Sequence, residues 1–326
     1  MFLELILLMG ILFLSARDLA TVLTMEDALE QVERAFRAFS SGEAVVPHRS
    51  RISLGEGRVQ LVMPCYLPPA ELGTKIVSVY ADNWKVGLPT VTSLYVLNDA
   101  ETGAPVAVMD GNYLTAMRTG AASGVATNYL ANPDATAVGI FGCGAQARMQ
   151  LLAIKKVRPI QTVRVYDKLH SAAIRFAEEM EKGVTMEVCR PKEVVRKSEI
   201  IITATTATKP VFDGRWLQEG THINAIGAFT PKDRELDDET IQRSKIVVAS
   251  REAATREAGD ILIPSQHGIL TELTEIGEVI GGARVREGAG DITLFKSVGL
   301  AVQDVVVARL AYEKAQAKDV GVEVEL

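Results

Sequence analysis

The hydrophobic residues in the first third of the chain follow two different periods. Behind a helix cap at Thr24, apolar residues recur at helical spacing from Ala28 to Phe39, and Ser40–Gly42 ends this predicted helix. Short strand-like runs follow, and turns such as Gly87–Pro89 separate them. Because short turns join antiparallel neighbours, these runs predict a mostly antiparallel sheet. Its predicted strands are Arg58–Met63, Lys75–Tyr80, Thr90–Leu97 and Pro105–Met109.

The pattern changes after a predicted helix of small residues, Gly111–Leu130. From Ala135 onward, short apolar runs alternate with helical stretches, which is typical of a parallel, doubly wound sheet. The predicted fold class is therefore α/β, a Rossmann-type doubly wound parallel sheet with a second domain of α+β type. The last helix, Leu300–Lys318, is expected to return to the first domain. The predicted strands of the parallel sheet are Ala135–Phe141, Thr162–Tyr166, Met186–Cys189, Ile200–Thr203, Ile223–Ile226 and Ile246–Ala249.

Composition narrows the class of protein. Of the 326 residues, 48% are hydrophobic and 23% are charged, the profile of a globular protein with a full core. The net charge of −6 and the lack of a basic cluster argue against a nucleic-acid partner. The three cysteines are widely spaced and form no CxxC pair, which favours a reducing compartment and a cytoplasmic location. The four histidines show no metal-ligand spacing, so no metal is expected.

The first residues form an apolar run, Phe2–Leu14. It is too short for a transmembrane helix, which needs about 20 residues, so no membrane partner is expected. It also lacks the basic region and cleavage site of a secretory signal. We interpret the residues upstream of Met9 as a short leader or a misplaced start, and Gly10–Leu14 as a short strand. Whether residues 1–8 belong to the native protein stays open.

The strongest chemical motif is a glycine turn between a strand and a helix. Val138–Phe141 is a buried-strand run, and Gly142-x-Gly144-x-x-Ala147 follows it at once. This is the dinucleotide fingerprint in its required context: Gly142 permits the tight turn, Gly144 lets the backbone approach a pyrophosphate, and Ala147 allows close helix packing. The next strand ends at Asp167, where an acid binds ribose hydroxyls. Asp167 favours NAD(H), and the adjacent Lys168 leaves NADP(H) open.

Three cations outside this motif are candidates for holding an anion. Arg118 is the only charged side chain between Asp110 and Asp134, and it lies among small and apolar residues. Burying a lone guanidinium is costly, so an anion or a distant acid should meet it. Lys75 interrupts a strand run, where it faces either the core or solvent. Arg49 and Arg51 follow Pro47 in a loop-to-strand segment, and one of them could hold a carboxylate bidentately.

Five segments together resemble the ornithine cyclodeaminase/mu-crystallin family, which includes archaeal alanine dehydrogenases. The resemblance implies a NAD(P)-dependent oxidoreductase acting on CH–NH or CH–NH2 groups, built as a homodimer. It implies a substrate-binding and dimerisation domain over residues 1–120, completed by a C-terminal helix over 300–326, with a Rossmann domain over 121–299. The segments are Leu88–Val91, Ala116–Ala122, Phe141–Gln146, Thr221–Gly227 and Ser297–Gly299.

The resemblance also assigns site residues by position. Arg49, Lys75 and Arg118 look like the cluster that binds the substrate carboxylate, with Lys75 and Arg118 catalytic because cations beside the reacting carbon polarise it. Val298 looks like a further substrate contact. The implied cofactor contacts are Thr90, Arg118, Gly142, Gly144, Ala145, Gln146, Asp167, Thr206, Ile226 and Ser297.

Two differences from the family pattern determine which activity of the family is predicted. Cyclodeaminases carry an aspartate where this chain has Phe229, and an acid just before the pair Met63-Pro64, where this chain has Gln60–Val62. Without these carboxylates, an amine-bearing side chain and its proton transfers lose their obvious partners. The first interpretation is therefore an NAD(P)H-dependent reductase of cyclic 2-imino acids, such as pyrroline-2-carboxylate, which would become L-proline. Alternatives that stay open are an alanine dehydrogenase, an ornithine cyclodeaminase and a non-catalytic, crystallin-like cofactor-binding protein.

Overall fold

The computed structural model describes residues 10–269 and 272–325, so the expectations about residues 1–8 lie outside the described residues. The chain divides into two compact units. The terminal unit takes the residues up to Arg118 and those from Leu300, and the central unit is Thr119–Gly299. In the part of the chain that the structure describes, no helix is both long and apolar enough to cross a bilayer.

The terminal unit is built on a seven-stranded sheet with the order β15-β1-β6-β5-β4-β3-β2. Strand β1 runs parallel to β6 and the other pairs are antiparallel. The chain after residue 318 forms an edge strand rather than continuing the predicted C-terminal helix. The strands are β1 (Gly10–Leu14), β2 (Ser50–Ser53), β3 (Arg58–Leu67), β4 (Glu71–Tyr80), β5 (Val91–Asn98), β6 (Pro105–Asp110) and β15 (Val322–Glu325).

Three helices pack on this unit: α1 (Ala16–Val22), α2 (Met25–Ser40) and α11 (Ala301–Lys318). Helix α11 contacts α1, α2 and strands β3, β4 and β5, so one face of the sheet is buried beneath it. Strand periodicity then decides which side chains enter the core: alternate residues of β3 and β4 are buried, and these include Lys75. Helix α2 begins at the predicted cap, where Thr24 and Asp27 form a reciprocal capping box.

The central unit contains an eight-stranded parallel sheet with the order β13-β12-β14-β11-β10-β7-β8-β9. Strands β13 and β14 were not among the predicted strands, although β14 lies inside the sheet and is buried along its whole length. The bounds of β7, β9, β11 and β12 differ from the predictions by one or two residues. The strands are β7 (Ala137–Phe141), β8 (Thr162–Tyr166), β9 (Thr185–Val188), β10 (Ile200–Thr203), β11 (His222–Ala225), β12 (Ser244–Val248), β13 (Leu273–Glu275) and β14 (Ile292–Lys296).

Helix α3 (Gly111–Leu130) needs its small residues because other backbone lies close to it. A Cβ added to Gly120 would lie 2.5 Å from the carbonyl oxygen of Met149, in the next helix. The remaining helices are α4 (Ala145–Val157), α5 (His170–Met180), α6 (Pro191–Arg196), α7 (Asp238–Arg243), α8 (Arg251–Glu257), α9 (Gly259–Gln266) and α10 (Ile276–Ile280).

Candidate active site

The glycine turn joins β7 to α4 with the geometry that a dinucleotide requires. Gly142 has a φ of +88°, and an added Cβ would lie 2.5 Å from the carbonyl oxygen of Ala204, so a side chain is excluded there. Gly144 is the N-cap of α4, and an added Cβ there meets only open space. Ala147 is fully buried. The turn therefore leaves the helix N-terminus open to a phosphate, as the fingerprint predicts.

The other predicted cofactor residues of the central unit lie at one edge of its sheet. Asp167, Thr206, Ile226 and Ser297 follow β8, β10, β11 and β14, which are parallel strands, so their carboxyl ends share that edge with the glycine turn. Ala145 is exposed and Gln146 is half-buried. The side-chain oxygen of Gln146 is buried and has no hydrogen-bond partner among the described residues. The residues at this edge fit a dinucleotide.

Asp167 is fixed by the turn itself. One carboxylate oxygen accepts a hydrogen bond from the backbone N–H of Cys143 at 2.8 Å, and the other accepts one from Leu169 at 2.8 Å. The carboxylate is partly exposed and has lone pairs left for further donors.

In the terminal unit, two of the predicted cations share one buried carboxylate. The Nζ atom of Lys75 lies 2.7 Å from one oxygen of Asp304, and Nε of Arg118 lies 3.0 Å from the other. Arg118 also donates to the side-chain oxygen of Gln303 at 3.0 Å. With Lys75 protonated, the charges of Lys75, Arg118 and Asp304 sum to +1. We call these three residues the cation cluster.

Burial sets the proton affinity of this cluster. Lys75 is 2% exposed, and its pKa is lowered to about 7, first by burial and then by the charge of Arg118, while Asp304 opposes the shift. The charge of Arg49 lowers it further, which places this half-buried arginine within electrostatic reach. Burial acts to raise the pKa of Asp304, but the charges of Arg118 and Lys75 outweigh it and the pKa falls. Lys75 can therefore give up a proton near neutral pH.

Asp304 and Gln303 were missed from the sequence, although a signal was present. Both lie in an otherwise apolar stretch of α11, Ala301–Ala308, and both are fully buried. The argument that singled out Arg118, a costly polar group among apolar neighbours, applies equally to them. Thr90 and Arg118 lie in the terminal unit, whereas Ser297 and Val298 end the central unit.

The central unit contains a second buried ion cluster that the sequence did not reveal. Lys296, at the end of β14, lies 2.7 Å from a carboxylate oxygen of Asp260 and donates to the carbonyl oxygen of Ala228 at 2.6 Å. Glu235 accepts hydrogen bonds from the N–H groups of Thr205, Gly227 and Ala228, and from two threonine hydroxyls. Asp260 accepts from two backbone N–H groups, those of residues 235 and 236. We call Lys296, Asp260 and Glu235 the anchor cluster.

The anchor cluster holds the loop that carries Phe229, because Glu235 and Lys296 both bind residue 228. Five hydrogen-bond donors in all are directed at the Glu235 carboxylate. Asp233, the other acid near this loop, accepts a hydrogen bond from Thr230 at 2.5 Å and is partly exposed.

A glycine turn with this geometry, at the carboxyl edge of a parallel sheet, is typical of dinucleotide-dependent enzymes. Residues 10–319 match the model of the ornithine cyclodeaminase/mu-crystallin family, and the chain belongs to that family. The family expected from the sequence is thus confirmed.

Three similar proteins illustrate the range of that family. A Thermococcus litoralis Δ1-pyrroline-2-carboxylate reductase, solved with NADH and L-proline, is 47% identical, covers 96% of this chain and 100% of its own, and has a TM-score of 0.94. An archaeal alanine dehydrogenase dimer with bound NAD is 39% identical, covers 98% and 100%, and has a TM-score of 0.92. A Δ1-pyrroline-2-carboxylate reductase of Bacillus cereus is 39% identical over 96% of this chain and 99% of its own.

Proposed function

We propose that this chain reduces cyclic 2-imino acids with NADH, and that Δ1-pyrroline-2-carboxylate, which becomes L-proline, is its substrate. The observation that carries the proposal is the surplus positive charge of the buried cation cluster. A substrate carboxylate would neutralise it, held by Arg118 and Lys75 with Arg49 nearby, because a buried cation is stable only when it is paired. Two similar proteins, from Thermococcus litoralis and Bacillus cereus, are named as reductases of that substrate.

Lys75 has the proton affinity that imine reduction needs. When bound, NADH supplies the hydride that the imine carbon receives. The nitrogen must then gain a proton, and Lys75, with a pKa lowered to about 7 by burial and by the charge of Arg118, can give one at neutral pH. In the central unit, the glycine turn, Asp167 and Gln146 would hold the cofactor.

The loop around Phe229 favours a ring that is already formed. An ornithine cyclodeaminase must lose ammonia and close the ring, and each step needs a placed acid or base. Phe229 supplies neither, and Glu235 is engaged by backbone and hydroxyl donors. Reduction of a cyclic imine needs only one hydride and one proton, so an apolar residue at position 229 is compatible with this reaction.

Alanine dehydrogenase is the second candidate, because the archaeal enzyme of that name is 39% identical over nearly the whole chain. The discriminating experiment follows NADH and NADPH oxidation with pyrroline-2-carboxylate, piperideine-2-carboxylate, and pyruvate plus ammonia, and tests ornithine for proline formation. Fast turnover of cyclic imines with negligible activity on pyruvate and ornithine is expected. Faster reduction of pyruvate would establish the second candidate, and ammonia release from ornithine would overturn both.

We also propose that two copies form a homodimer through the open face of the terminal sheet. Val62, Ile76 and Leu94 are register partners on adjacent strands, on the face opposite to Lys75, and Leu94 is 54% exposed. Aligned apolar side chains on an open sheet face are a usual subunit interface. The archaeal alanine dehydrogenase is itself a dimer. Light scattering should give twice the chain mass, and Leu94→Lys should lower it; a monomeric unmodified protein would contradict this.

The state of the cysteines supports a cytoplasmic location. Cys65, Cys143 and Cys189 are all free cysteines. Unpaired thiols persist in reducing compartments.

A further inference from the structure

An arginine that the sequence did not single out contacts the glycine turn directly. Arg148, in the first turns of α4, donates from Nη1 to the carbonyl oxygens of Cys143 and Gly144, at 2.9 and 3.0 Å. The N–H of Cys143 donates to Asp167. Arg148 and Asp167 therefore hydrogen-bond to the carbonyl oxygen and the N–H of the same residue, so both side chains lie at the glycine turn.

The rest of that guanidinium is held by a carboxylate of the neighbouring helix. Nε of Arg148 donates to both oxygens of Glu179 at 2.8 and 3.0 Å, and Nη2 donates to one of them at 2.5 Å. The guanidinium carbon also lies 5.4 Å from the ring centre of Phe176 in α5. The hydrogen bonds from Arg148 lower the pKa of Glu179, so the carboxylate is charged at neutral pH.

NADP differs from NAD by one phosphate on the ribose that Asp167 would bind. An arginine near this acid is a group that proteins use to accept that phosphate, because the guanidinium fork matches its oxygens. In this protein, the Arg148 guanidinium already donates hydrogen bonds to the carboxylate of Glu179. Resting on the proposed function, we infer that Glu179 is a specificity-determining residue: it withholds Arg148 from the 2′-phosphate and thereby favours NADH over NADPH.

The pairing acts together with Asp167. Asp167 repels the 2′-phosphate directly, whereas Glu179 occupies the cation that would offset this repulsion. Because Arg148 and Glu179 are on the partly exposed surface, with side-chain exposures of 29% and 52%, the pair contributes little to stability and its removal leaves the fold intact.

The test measures dissociation constants for NADH and NADPH from nicotinamide fluorescence on the full chain, without substrate. Glu179→Gln should tighten NADPH binding about tenfold, the effect of roughly 1.4 kcal/mol, with NADH binding unchanged within about twofold. Arg148→Met in the Glu179→Gln background should abolish the gain. Glu178→Gln, which removes the adjacent carboxylate of the same helix, is the charge-matched control and should change neither constant.

Three results would overturn the inference alone: unchanged NADPH binding in Glu179→Gln, a gain that survives Arg148→Met, or an equal gain in Glu178→Gln. Failure of the unmodified protein to bind either nucleotide would instead overturn the proposed function, and this inference with it. Adding Asp167→Ser to Glu179→Gln should tighten NADPH binding by more than the two single effects combined, because both residues act on the same phosphate.

Discussion

The cation cluster and the anchor cluster contain similar residues in opposite balance. In the terminal unit two cations share one carboxylate, and in the central unit one cation faces two carboxylates, Asp260 and Glu235. Burial raises the pKa of Glu235, and the two carboxylates of the anchor cluster accept hydrogen bonds from backbone N–H groups and hydroxyls. Under the proposed function, a substrate carboxylate would balance the surplus positive charge of the cation cluster. Buried charge would then serve structure in the anchor cluster and substrate binding in the cation cluster.

The largest effect that distinguishes the two clusters is expected when Arg118 is replaced. Arg118→Met leaves Lys75 paired with Asp304, a neutral pair, so the fold should survive. Catalytic efficiency on the cyclic imine should fall by two orders of magnitude or more, since a lost buried charged contact costs about 3–5 kcal/mol and each ~1.4 kcal/mol is tenfold. Steady-state kinetics and circular dichroism measure the two effects. Near-normal turnover of Arg118→Met would show that Arg118 has only a structural role.

The matching change in the anchor cluster should act on stability instead. Lys296→Met leaves Asp260 and Glu235 buried without their cation, which destabilises the folded state by about 3–5 kcal/mol. The midpoint of urea unfolding should fall accordingly. Lys245→Met removes a partly exposed lysine that pairs with Glu287, and it is the control that should have little effect. A stable Lys296→Met protein would show that backbone donors alone neutralise the cluster.

The pH dependence of activity should report the cation cluster. Lys75 loses its proton as pH rises through about 7, so kcat/KM for a carboxylate substrate should fall about tenfold per unit above that value. Lys75→Arg keeps its charge at all working pH values but holds its proton too tightly to donate it, so kcat/KM should be lower and this alkaline limb should disappear. An alkaline limb unchanged in Lys75→Arg would assign it to another group.

The lowered pKa of Lys75 affects the stability of the fold in the opposite direction to its effect on activity. Between about 7 and the ordinary pKa of 10.5, the unfolded chain holds a proton that folded Lys75 has released, so this group makes the fold more stable as pH rises through that window.

The smallest effect is expected at Tyr95, whose ring is buried beside the cation cluster. It is the register partner of Lys75, and its hydroxyl has no hydrogen-bond partner among the described residues. Tyr95→Phe removes only that hydroxyl, so the free energy of unfolding should change by less than about 1 kcal/mol, toward greater stability. A clear loss of stability in thermal unfolding would show that the hydroxyl is satisfied in solution.

Local sequence was sufficient to predict the cofactor turn because its signature is a short run of residues that are close together in the chain. The spacing of Gly142, Gly144 and Ala147 and the strand before them were sufficient to predict it. The caps and apolar period of α2 were equally local. The division into a parallel and an antiparallel sheet followed from the lengths of the connections, which the sequence shows directly.

Only the tertiary structure decided whether each of these charged residues is buried and which partners it has. The sequence left Lys75 open between core and solvent, and Asp304 meets it from 229 positions away. Lys296 is part of an apolar strand whose placement between β11 and β12 no local pattern specifies. Glu235 lies six positions from Phe229 in the sequence, and only the folded structure shows that its carboxylate accepts hydrogen bonds from backbone N–H groups and hydroxyls. The physical reason is that the cost of burying a charge depends on partners brought together by folding, and neither their number nor their sign is encoded near the residue itself.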